Sequence, residues 1–136
     1  MSKQSKSGKK VKSDETLFAL IECIREFEGA GVTELAERLD IAKSTVHSHL
    51  KSMQDRGFVV KCGSEYHLGL MFFDYGQYVR GQLGIFRSGM QAVDELERAT
   101  GEMAWLISHE NGKAMYIYGR RGQNDININT ILGTWA

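Results

Sequence analysis

Apolar residues recur along the first part of the chain at helical spacing. Leu17, Leu20, Ile21, Ile24 and Phe27 stand at i, i+3, i+4 and i+7 steps, which predicts a helix with one core-facing stripe. Ser13 is the expected N-cap, and Asp14 and Glu15 place negative charge where the helix dipole favours it. Gly29 and Gly31 end that helix, and Thr33 is expected to cap a short second one. In it Leu35, Ala36 and Leu39 face inward, with Glu34, Glu37 and Arg38 outward. A turn at Asp40 to Lys43, where a positive φ is often required and Asp is tolerated better than most residues, leads to a third pattern, with Val46, Leu50 and Met53 on one face and Arg56-Gly57 as its stop. FVVK (58–61) and YHLGL (66–70) are β-prone runs around CGSE and predict a hairpin. Three helices followed by a hairpin, with a tight turn between the last two helices, predict a winged helix-turn-helix.

Beyond the hairpin, MFFDYGQYVRG (71–81) is aromatic at helical spacing on two sides. Leu70, Phe73, Gln77 and Arg80 fall on one set of faces, and Phe72, Tyr75 and Val79 on another. Such a helix needs a partner beyond one small domain. A further helix is expected from about Ile85 to Thr100, with Met90, Val93, Leu96 and Glu97 marking its period and Gly101 its stop. The period then changes to two on either side of Asn111-Gly112, a strong hairpin signal. A polar loop, RRGQND, leads to a third expected strand at 126–132. Gly119-Arg-Arg-Gly122 is a glycine-flanked basic stretch, read as a hairpin-end loop in preference to a phosphate cradle. Three strands and one helix barely bury a core, so this half is expected to be an incomplete domain.

Charge changes the picture more than composition does. The net charge is zero and 42% of residues are hydrophobic, ordinary for a globular protein. Yet residues 1–12 hold five lysines and no acid, and residues 13–42 hold two basic and eight acidic side chains. Residues 43–61 then hold Lys43, Lys51, Arg56 and Lys61 against Asp55 alone. The lysine tail is consistent with phosphate contact and equally with a solubilising role. No run is long and apolar enough for a membrane span or a secretory signal, so a cytoplasmic location is expected. Cys23 and Cys62 form no metal or disulfide motif, and His47 and His49 point to different sides of a helix, so no metal and no cofactor are expected. No nucleophile–base pair, clustered carboxylates or phosphate loop appears, which speaks against an enzyme.

The chemistry concentrates in IAKSTVHSHL (41–50). If Val46, Leu50 and Met53 bury the third helix, its other surface presents Ser44, Thr45, His47, Ser48 and Lys51. Short hydroxyl side chains let a helix approach base edges closely, and Lys43 and Lys51 add attraction to phosphates. No carboxylate precedes Asp55 in this segment. Lys61, on the expected wing, joins Lys43, Ser44, Thr45, His47, Ser48 and Lys51 as a candidate DNA contact. His49 follows the buried stripe more closely and is read as packing, with base contact as the alternative. A solvated, capping-rich helix start remains the bland alternative for the whole stretch.

These residues also carry a resemblance. The run GVTELAERLDIAKSTVHSHLKSMQDRGFVVKCGSEYHLGLMFFDYGQYV resembles the DNA-binding domain of the IclR-type transcriptional regulators, particularly archaeal forms, over residues 14 to 82. LERATGEMAWLISHENGKAMYIYGRRG resembles the start of that family's effector-binding domain. The resemblance implies an α+β protein: a disordered basic tail (1–12), a winged helix-turn-helix (13–70), a linker helix (71–82) and the start of a GAF-like α/β effector domain (83–136). It further implies a homodimer or tetramer, associating through the linker helix, on a palindromic double-stranded DNA operator. A small-molecule effector, often an organic or aromatic acid, tunes such regulators. The family usually has a proline where this chain has Ala42. The family's ligand pocket is formed largely by segments beyond those present, so no effector residues are assigned; a fragment, or a regulator that works without sensing, is expected. The competing function is a dimerising winged-helix module that contacts protein and binds no specific DNA.

Overall fold

The computed structural model describes residues 8–123 and 131–136. Among them the order is α1 (Lys12–Glu26), α2 (Val32–Leu39), α3 (Lys43–Asp55), β1 (Val59–Cys62), β2 (Glu65–Leu68), α4 (Met71–Gln82), α5 (Phe86–Thr100), β3 (Ala104–Glu110) and β4 (Lys113–Arg120). They divide into two compact units, one up to Asp74 and one from Tyr75. No described helix is long and apolar enough to cross a membrane.

In the first unit the apolar periods place the core. Leu20, Ile24, Leu35, Val46, Leu50 and Val59 are fully enclosed, with Cys23, Ala30, Ala36, Met53 and Tyr66 completing one cluster. Burial raises the Cys23 thiol above its ordinary range, so it packs as a small apolar group. Two expected caps are corrected. Val11, not Ser13, flanks α1, and Gly31, not Thr33, flanks α2, neither with a side-chain cap. The acidic first turn of α1 suits either start, so charge does not select Ser13 over Val11. Phe27 is also corrected: α1 stops at Glu26, the helical phase that would turn Phe27 inward is lost, and the residue is 39% exposed. The Arg38 guanidinium covers that ring at 3.5 Å.

The turn between α2 and α3 follows the expectation. Asp40 is left-handed at φ 51° and ψ 51°, and the Ile41 amide donates to the Ala36 carbonyl at 3.1 Å. The wing is an antiparallel pair, Val59 opposite Leu68 and Cys62 opposite Glu65, so Gly63-Ser64 forms a tighter turn than CGSE suggests. Ala30 adds a further rung: its amide donates to the Tyr66 carbonyl at 3.1 Å and its carbonyl accepts from the Tyr66 amide at 2.8 Å. Gly29 precedes it at φ 123°, against the His67 ring, where a Cβ would collide. Phe72, in the first turn of α4, meets Phe58 edge to face at 5.1 Å.

In the second unit α5 packs on the β3–β4 hairpin. Gly101 stops α5 at φ 70°, and Asn111-Gly112 makes the turn with φ 51° and 75°, both as expected. Among the described residues only Val93, Ala104 and Ile117 of this unit are buried. Leu96, expected on the inward period, is 55% exposed. Polar ties supplement this small core. Tyr118 Oη and Arg120 Nε both donate to Asp94 Oδ1 at 2.7 Å, and Arg80 Nη1 donates to the Ile117 carbonyl at 3.0 Å. The Tyr118 hydrogen bond and then the Arg120 bond hold Asp94 below the ordinary carboxyl range, while burial and Asp94 raise Tyr118. Arg120, expected in the polar loop, belongs to β4 together with Gly119. Most of the expected strand at 126–132 lies outside the described residues. Ile131–Gly133 form a turn, and Trp135 bridges Met115 antiparallel.

Candidate nucleic-acid interface

The helix α3 is fixed from one side by Val46, Leu50 and Met53, which are 0%, 0% and 4% exposed. Their spacing decides what points away. Ser44, Ser48, Lys51 and Asp55 follow at i, i+4, i+7 and i+11, so they form one ridge opposite the buried stripe. Thr45 lies on one flank of that ridge, and Lys43 and His47 on the other. All six sequence-selected side chains on α3 are exposed, whereas His49 is half-buried.

The start of α3 is electropositive. Ala42 holds the N-cap position in extended backbone (φ −64°, ψ 140°) and supplies no side-chain cap, and no acid occupies the first turn. The first amides of a helix have no carbonyl partner within it and carry the positive end of the dipole, which suits an incoming phosphate oxygen. Lys43 stands there without an ion pair among the described residues.

Hydrogen bonding narrows what each group can offer. Ser48 Oγ donates to the Ser44 carbonyl at 3.0 Å, so toward an approaching ligand it retains acceptor capacity. Lys51 Nζ lies 2.6 Å from Asp55 Oδ1. This partnership is absent from the sequence-level site, although i, i+4 spacing was its signal. Lys61 projects from β1 on the wing, 5.8 Å from the Tyr66 ring centroid, and is separate from the α3 ridge. Arg56, just past α3, is a further exposed cation. Lys9, Lys10 and Lys12 are exposed ahead of and at the start of α1, while the tail's other two lysines fall outside the described residues. Among the described residues no three His, Cys, Asp or Glu side chains stand close enough to hold a metal ion.

Comparison with known proteins points the same way. Residues 16–62 match the IclR helix-turn-helix domain. ArcR of Halobacterium salinarum, a probable HTH-type transcriptional regulator, is 28% identical over 108 residues, 79% of this chain and 41% of that protein. The HTH-type transcriptional regulator KipR of Bacillus subtilis is 28% identical over 131 residues, 96% of this chain and 51% of KipR. Among solved structures, the Thermotoga maritima IclR superposes with a TM-score of 0.69 at 22% identity, covering 91% of this chain and 49% of that one. That structural likeness establishes the fold. The chain spans about half or less of the length of these curated relatives.

Proposed function

We propose that this chain, which carries the helix-turn-helix domain of the IclR regulators, is a sequence-specific DNA-binding transcriptional regulator and not an enzyme. The observation that carries this reading is the outward face of α3: short donors and acceptors around an uncapped, acid-free helix start, with Lys43 beside it. In this reading α3 lies in the major groove. Ser44, Thr45, His47 and Ser48 meet base edges or phosphates, Lys43 and Lys51 meet phosphates, and Lys61 reaches the backbone from the wing.

The domain limits 13–70, 71–82 and 83–136 belong to the same proposal, with 71–82 as the linker. Association of two copies through α4 on a palindromic operator is part of the same reading, and Tyr78 and Val79 of that helix are exposed apolar side chains. A small-molecule effector is proposed only for a longer form of the chain, and a cytoplasmic location goes with the function. Selection of bound duplexes from a random pool, followed by anisotropy titration over a salt series, tests the central claim. Enrichment of a sequence motif and a steep negative log–log salt slope are expected. Binding that ignores salt, or a pool that yields no motif, overturns it.

A further inference from the structure

The ridge of α3 ends in a carboxylate. Asp55 points along the same line as Ser44, Ser48 and Lys51, and its Oδ1 lies 2.6 Å from the Lys51 ammonium. Helix energetics give an acid there little support. Arg56 at the C-cap is the nearest cation beyond Lys51, the dipole disfavours negative charge at that end, and lysine N-terminal to the acid is the weaker order for an i, i+4 pair. Both side chains are more than half exposed, so the pair contributes little to folding.

Its effect on a polyanion is larger. We propose that Asp55 is a positioning residue that holds Lys51 back from phosphate binding and so lowers sequence-independent affinity for DNA; the proposal rests on the DNA-binding reading above. While the pair is closed, the far half of the ridge brings no net charge to the backbone. When Lys51 turns to a phosphate, Asp55 is left unpaired beside a second negative charge. In either arrangement one counterion-releasing contact is offset, whatever the sequence of the duplex. Lys43, at the other end of the helix, has no such partner among the described residues. Random DNA, which offers no matched base contacts to Ser44, Thr45, His47 and Ser48, is thereby held more weakly than the lysines of the helix alone would hold it.

The test compares the full chain with Asp55→Asn, Lys51→Met and the double variant. Each is titrated against a random duplex and against the tightest duplex from the selected pool, over a potassium chloride series. For Asp55→Asn the salt slope on the random duplex should steepen by about one unit. Affinity should rise on both duplexes by a similar factor. Adding Asp55→Asn to Lys51→Met should leave the slope of Lys51→Met unchanged. A slope for Asp55→Asn equal to that of the unaltered chain overturns the proposal. So does weaker binding of Asp55→Asn to the selected duplex, which would make Asp55 a base reader. If the unaltered chain binds neither duplex, the DNA-binding reading itself falls, and this proposal with it. Thermal melts check that Asp55→Asn, an exposed change, leaves folding intact.

Discussion

The two units of the chain reach order by different means. Among its described residues the first encloses eleven in one apolar cluster, drawn from α1, α2, α3, the wing and Ala30 beside it. The second buries three among its described residues and adds the hydrogen bonds of Asp94, Tyr118, Arg120 and Arg80. A cluster that closes on itself tolerates an outer face selected for something other than stability, which is the condition of α3. A small core leaves polar side chains a larger share in holding helix to sheet.

Predictions that break or sharpen this contrast run from large effects to small. Leu50→Ala should cost about 2–5 kcal/mol in urea unfolding and abolish DNA binding with the fold, since Leu50 is fully enclosed in the core. Val93→Ala in the second unit should cost about 1–2 kcal/mol, read by local hydrogen exchange. Equal costs for the two would dissolve the contrast.

Within the first unit the contrast narrows to two cations of one helix. Lys43→Ala should shallow the log–log salt slope of DNA binding by about one unit. Lys51→Ala should shallow it less, because Asp55 already engages that ammonium. Ala42→Pro tests the departure from the resembled family: at φ −64° the ring fits, and stability should rise by about 0.4–1 kcal/mol in thermal melts.

The smallest effect expected is in the second unit. Asp94 has a lowered pKa, so its stabilisation is complete above its ordinary value of 3.8 and is lost as pH falls through the lower folded value. Tyr118 has a raised pKa, so its share is complete below 10.0 and is lost as pH rises through the higher folded value. Tyr118→Phe should therefore weaken protection of α5 and β4 between those limits. Its difference from the unaltered chain should shrink toward both ends of that range. A difference that does not change with pH would sink the account.

Much of this was legible in the residues. The 46–50–53 period required that Ser44, Thr45, His47 and Ser48 face away, because a helix has one geometry whatever surrounds it. Asp40, Gly101 and Asn111-Gly112 announced left-handed backbone, since few residues accept it without strain. Other features were not legible. Phe27 lies outside the core because α1 ends one residue earlier, and Leu96 is exposed because the β3–β4 hairpin covers only part of α5. Nothing in the local sequence of Ala30 marks it as a rung on β2, because a strand partner 36 positions away is chosen by packing.

The sequence by itself therefore determined the winged helix-turn-helix, the buried side of α3 and the side chains opposite it, because period and turn chemistry act over a few residues. Only the tertiary structure decided that Ala30 pairs with Tyr66, that Arg120 belongs to a strand and ties it to α5 through Asp94, and that Phe27 takes Arg38 as its cover. Those outcomes depend on which surfaces meet in space, and side chains distant along the chain compete for the same places. The Lys51–Asp55 pair falls between the two: helix spacing permitted it, and the side-chain geometry closed it.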